Sequence, residues 1–168
     1  MKFERVDVNL YGSGGFDKSQ LKKVEAAGNL NPKGYIPVMS IGDEVVRESS
    51  VLVERVAEMS TTASGATSLL PDHPSRAKDL IAACNALPKS DRSRELTALM
   101  RQCDESCSTT SFLAGDTFSI ADCCLLPFLQ RVEGDIPSDA THLKAYMKRV
   151  HQTPAFASTI VSSWWWWW

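Results

Sequence analysis

Before its last five residues the chain has no tryptophan, and it has no excess of charge of either sign. With 18 basic and 20 acidic residues among 168, the formal net charge of −2 supplies no long-range attraction for nucleic acid or an anionic membrane. Long apolar runs are missing too, since none approaches the roughly 20 residues needed to span a bilayer. The start, Met1-Lys2-Phe3-Glu4-Arg5, has neither the apolar core of a secretory signal nor the acid-poor character of a transit peptide. The expectation is a cytoplasmic protein with no nucleic-acid partner and no membrane partner.

Cysteine is present without any organising pattern. Cys84, Cys103, Cys107, Cys123 and Cys124 are odd in number, contain no C-x-x-C and fall largely on apolar helical positions. That argues for reduced thiols and against a disulfide framework. No cysteine pair at finger spacing is followed by matching ligands, and His73, His142 and His151 are scattered, so no metal site is expected. Cys123 and Cys124 read as core residues of a helix rather than as nucleophiles.

What remains is ordinary globular material. Hydrophobic residues make up 43% and charged residues 23%, enough for one domain or two small ones. All five tryptophans form Trp164 to Trp168. Identical side chains specify no unique packing, so this tract is set outside the fold, although an exposed cluster of this kind invites association.

The first third alternates between strand and helix signals. Val6, Val8 and Leu10 recur with a period of two across Phe3 to Leu10, the spacing of a half-buried strand, and Gly12, Gly14 and Gly15 then break the chain. Asp17 to Ala27 suits a short amphipathic helix with Leu21 and Val24 inward. Ile36 to Ile41, Gly42-Asp43 and Val45-Val46 predict a hairpin with a two-residue turn. A helix opens at Glu48-Ser49-Ser50 and runs to about Met59, with Ser49 as N-cap and Leu52, Val56 and Met59 on one face. Ser60 to Ser68, rich in Ser, Thr, Ala and Gly, reads as a linker.

Beyond the linker every signal is helical. Helices are expected over Ser75 to Leu87, over about Ser90 to Cys107 with Leu96, Leu99, Met100, Cys103 and Cys107 aligned, and from Ser119 to about Val132. Ser119 with Asp122 forms an Asp version of the capping box, and Phe118 with Cys123 occupies the staple positions. This third helix is apolar almost all round and should be the buried axle, kinked at Pro127. Asp139 to His151 should bury Leu143, Tyr146, Met147 and Val150, and Thr153-Pro154 should start a last helix.

Three blocks of this chain resemble the glutathione transferase superfamily, of the cytosolic type and omega-like or thiol-reductase-like. The first runs Asn31-Pro32-Lys33-Gly34-Tyr35-Ile36-Pro37-Val38, then Gly42-Asp43, then Glu48-Ser49. The second is Phe112-Leu113-Ala114-Gly115-Asp116-Thr117-Phe118-Ser119-Ile120-Ala121-Asp122, and the third runs from Tyr146 to Phe156. The resemblance implies an α+β protein: a partial thioredoxin-like, glutathione-binding domain over 1–60, a linker over 61–74, and an all-helical C-terminal domain over 75–163.

The resemblance also assigns roles. Pro37 would be the cis-proline of the glutathione site, leaving the Ile36 backbone to pair with the cysteinyl unit. Ser49 and the helix N-terminus suit the γ-glutamyl carboxylate, and Glu48 suits its ammonium group. Each residue also has a plain structural reading: Pro37 as a turn, Ser49 as a cap, Glu48 as a solvated charge. Ser119 and Asp122 are read as structural. Family members usually carry, ahead of the segment resembling Phe3 to Leu10, a strand and a helix whose start holds a Ser, Tyr or Cys acting on the glutathione sulfur. No residue here takes that position, because Tyr11 and Ser13 fall in a different connection, so no catalytic residue is assigned. Where many members have a Lys before the cis-proline, this chain has Tyr35, which leaves Lys33 as the candidate for the glycyl carboxylate.

The implied function is glutathione binding with transfer to a small electrophile, or reduction of a mixed disulfide, by a protein that commonly forms homodimers. The alternatives are a non-catalytic interaction module of the same fold, or a shortened, inactive form of a longer enzyme.

Overall fold

The computed structural model describes residues 11–12, 15–16, 37–42, 44–61, 68–88 and 93–159. The chain divides into two units, Met1–Ser68 and Leu69–Trp168. The strand expected over Phe3 to Leu10, the helix over Asp17 to Ala27 and the tract Trp164 to Trp168 lie outside the described residues.

In the first unit the glycine-rich stretch does more than break the chain. Strands β1 (Tyr11–Gly12) and β2 (Gly15–Phe16) pair antiparallel, Tyr11 opposite Phe16 and Gly12 opposite Gly15. Glycines are poor strand formers, yet they permit the tight reversal between these two short strands. The expected second hairpin is also present, as β3 (Met39–Ile41) and β4 (Glu44–Val46), with Met39 opposite Val46 and Ile41 opposite Glu44. Gly42 has a φ of 57°, the left-handed conformation that a two-residue hairpin turn requires and that glycine adopts without strain.

Helix α1 (Ser49–Thr61) follows. Its inward side differs from the expected stripe. Leu52 and Ala57 are buried, whereas Val56 and Met59 are exposed at 41% and 38%. Successive helical residues are 100° apart, so an apolar pattern marks a broad arc, and tertiary neighbours decide which edge of it is covered. Arg55 ties the helix to the hairpin. Its Nη2 lies 3.0 and 3.1 Å from the two carboxylate oxygens of Glu44, and its Nη1 lies 3.1 Å from Glu58. All three side chains are well exposed, so the arrangement orients more than it stabilises.

The second unit is an all-helical bundle: α2 (Pro74–Asn85), α3 (Ser93–Thr109), α4 (Ile120–Arg131), a 3-10 turn (Glu133–Asp135), α5 (Thr141–His151) and α6 (Pro154–Thr159). Helix α2 packs against α4, and α3 against α5. Pro74 opens α2 at its first turn, where a missing N–H costs nothing. The core joins Leu99, Met100 and Cys103 of α3 to Leu125 and Leu129 of α4 and to Leu143, Tyr146, Met147 and Val150 of α5. Each fully buried aliphatic side chain contributes about 1.5–3 kcal/mol relative to exposure, and most of the buried apolar side chains among the described residues lie in this bundle.

Helix α4 passes through this core and runs unbroken past Pro127, which stands on its exposed side. Helix α5 starts at Thr141 rather than at Asp139, because two contacts made elsewhere set its entry. Arg101 of α3 holds the Asp139 carboxylate at 2.7 Å, and Asp104 accepts the Leu143 N–H at 2.8 Å. The N-cap residue, Ala140, has no side chain able to do this, so the cap comes from another helix.

Candidate functional site

Three of the candidate binding residues gather at one end of the β3–β4 hairpin. The register pairs residues whose numbers sum to 85, and two steps beyond Met39 and Val46 it reaches Pro37 and Glu48. Pro37, at a bend, and Glu48 both leave the ladder at its open end, exposed.

Glu48 then hands the chain to α1. Its carbonyl accepts the Leu52 N–H at 2.9 Å, which makes it the residue that caps the helix. Ser49, expected as the N-cap, is instead the first helical residue, one position further in. The reason is local: Glu48 supplies the first carbonyl acceptor, so the helix begins immediately after it. The amides of the first turn have no acceptor within the helix, and with the helix dipole they form a positive end beside the exposed Ser49 hydroxyl. Such an end can accept a carboxylate, and Glu48 offers a counter-charge for an ammonium. Ile36 and Lys33, the other two candidates, lie outside the described residues.

Ser119 and Asp122 belong to the other unit and form a different kind of cluster. Ser119 caps α4 in a capping box with Asp122 at the third position, and both are fully buried. The Asp122 Oδ2 accepts the Ser119 N–H at 2.8 Å and its hydroxyl at 3.2 Å. Its Oδ1 accepts the Leu113 N–H at 3.2 Å and the Tyr146 hydroxyl at 3.0 Å. Burial pushes the Asp122 carboxyl above its ordinary range, against the pull of these four donors. The Tyr146 phenol is pushed up as well, by burial first and by the neighbouring Asp122 second. Every polar atom here is occupied in holding the fold.

The thiols show the same bias. Burial raises Cys84 and Cys103, raises Cys107 to about 12, and raises Cys123 to about 11. None of these four is a thiolate at neutral pH, so none is poised for nucleophilic attack. Among the described residues no three His, Cys, Asp or Glu side chains group as a metal site, and no helix is long and apolar enough to cross a membrane.

Sequence reasoning missed several residues that organise the bundle, namely Asp72, Asp104 and the hydroxyl of Tyr146. Asp72 and Asp104 each hold a partner about forty residues away, and no local pattern marks such a pair.

A unit of short hairpins and one helix is followed by a bundle whose central helix opens on a buried Ser–Asp cap, and known proteins share this arrangement. Residues 79–154 match the family described as "Glutathione S-transferase, C-terminal domain". Glutathione S-transferase 3 of Zea mays is 27% identical over 165 residues, covering 79% of this chain and 73% of that protein. "Probable glutathione S-transferase DHAR2, chloroplastic" of Oryza sativa subsp. japonica is 26% identical over 145 residues, covering 78% of this chain and 53% of that one. The solved apo form of glutathione S-transferase III superposes with a TM-score of 0.66 at 21% identity, covering 94% of this chain and 83% of that structure. Residues 79–154 therefore match a glutathione transferase domain, and the chain as a whole is similar to glutathione transferases, with the α+β fold of a partial thioredoxin-like unit followed by a helical unit.

Proposed function

We propose that this chain binds glutathione at the open end of the β3–β4 hairpin, with Ser49 and the α1 N-terminus receiving the γ-glutamyl carboxylate. Glu48 receives the γ-glutamyl ammonium, and Pro37 with Ile36 presents backbone to the cysteinyl unit. Lys33 is the candidate for the glycyl carboxylate. The observation that carries this proposal is the hairpin register, which brings Pro37 and Glu48 to the same end, one residue before α1. In catalysis the nucleophile would be the sulfur of glutathione itself, consistent with four of this chain's own thiols being held neutral. Its acceptor would be a small electrophile or a mixed disulfide. A homodimer in the cytoplasm is the setting in which we place it.

Titration calorimetry with glutathione tests the site. Binding at millimolar concentration or tighter, lost in both Glu48→Ala and Ser49→Ala, is the expected result. Absence of binding by the wild-type chain would overturn the proposal and leave the non-catalytic module as the reading to pursue.

A further inference from the structure

We infer that residues 69–73 form a latch of the helical unit, seated on the loop that caps α4, so that release of this strap and loosening of the start of α4 are a single event. Three bonds along five residues seat it. The Leu69 carbonyl accepts the Ile120 N–H at 2.9 Å, the Asp72 Oδ2 accepts the Asp116 N–H at 2.8 Å, and the His73 N–H donates to the Ala114 carbonyl at 3.0 Å.

The first of these bonds is part of the cap itself. Ile120 is the first residue of α4, so its amide has no acceptor inside the helix. Ser119 and Asp122 satisfy other groups, and the strap supplies the acceptor that they do not reach. The loop is therefore held from two sides. On one side are Leu69, Asp72 and His73; on the other is Asp122, which takes the amides of Leu113 and Ser119. Within the loop, the Phe112 N–H donates to the Gly115 carbonyl at 2.8 Å and the Ser111 N–H to Asp116 Oδ1 at 3.0 Å.

Gly115 makes the seating possible. Its φ is 154°, and a Cβ placed there would lie 2.7 Å from the Cβ of Asp72 and 2.6 Å from its Cγ. Any side chain would lift Asp72 off the loop, so this glycine serves the contact as well as its own backbone.

Hydrogen exchange on the full-length chain tests the latch. Asp72→Ala is expected to speed exchange about tenfold at the Asp116 amide and also at Ile120 and Ser119, the size of losing one hydrogen bond to a carboxylate. Asp72→Asn, whose amide oxygen still accepts, is expected to return Ile120 and Ser119 to within about threefold of wild type. Faster exchange at Asp116 alone would overturn the latch and leave a single side-chain contact. A cycle adds the steric half: Gly115→Ala should shift the unfolding equilibrium at least about fivefold more in wild type than in Asp72→Gly. Equal cost in both backgrounds would show that Gly115 serves only its own φ. Should Gly115→Ala fail to fold, exchange in the two full-length Asp72 variants decides the matter.

Discussion

Replacing Asp122 by alanine should unravel the entry to α4 more severely than any other single truncation in the bundle. The carboxylate has no exposed surface, and neither do Ser119, Leu113 or Tyr146, which donate to it. Truncation strands two backbone amides and a phenol, whereas the Ser119 hydroxyl can rotate. A buried donor left unpaired costs about 1–3 kcal/mol. Relief of the buried carboxylate, whose pKa burial has raised, returns part of this, so the net loss should be about 3 kcal/mol. Set against a total stability of about 5–15 kcal/mol, that would be a large fraction. Urea unfolding followed by far-ultraviolet circular dichroism is the appropriate assay, because helices dominate the signal and the tryptophans all lie at the end of the chain. A double-mutant cycle sharpens it. Tyr146→Phe should cost about 1 kcal/mol in wild type and become neutral or stabilising beside Asp122→Ala, where the phenol is already stranded. A loss below about 1 kcal/mol for Asp122→Ala, or an equal cost of Tyr146→Phe in both backgrounds, would refute the assignment of Asp122 as the shared acceptor.

Two further outcomes are expected. Since burial raises the Asp122 carboxyl in the folded state, that state holds its proton more tightly than the unfolded chain does. Its contribution is therefore fully present below the ordinary carboxyl pKa of 3.8 and is lost as pH rises through the higher folded value. The stability difference between wild type and Asp122→Asn, followed by urea midpoints, should fall with rising pH across that window; a rise would contradict the sign. For the thiols, Cys123 at about 11 and Cys107 at about 12 should react with an aromatic disulfide reagent at pH 7 at least about a hundredfold more slowly in the native chain than in urea. Native labelling of Cys123 at the rate of free cysteine would show that its burial does not protect it.

Several elements were legible from residue order because their causes are local. The Gly42-Asp43 turn, the Ser119–Asp122 spacing and the i, i+3, i+4, i+7 stripe of Leu143, Tyr146, Met147 and Val150 each express a backbone period or a cap within a few residues. Other features have causes that are not local. Whether α1 covers Val56 or Ala57 depends on what lies beneath it, and the pattern of α1 alone favoured the wrong edge. The start of α5 is set by Asp104, 39 residues from the amide it caps, and Asp72 reaches across 44 residues. For the candidate binding site, Pro37, Glu48 and Ser49 stood out only within the family frame. Their convergence at one end follows from a three-pair ladder, and the displacement of Ser49 from cap to first helical residue follows from the Glu48 carbonyl.

Amino-acid order alone was enough to determine the helical character of the described elements beyond the linker, the hairpin before α1 and the apolar faces that build the bundle. It did so because hydrophobic period, turn glycines and caps act over at most two helical turns. Folding in three dimensions decided which acceptor each buried donor uses: Asp122 for Tyr146, Asp104 for Leu143, Leu69 for Ile120. A buried donor must find a partner wherever packing places one, and packing is a property of the whole bundle rather than of any stretch of it.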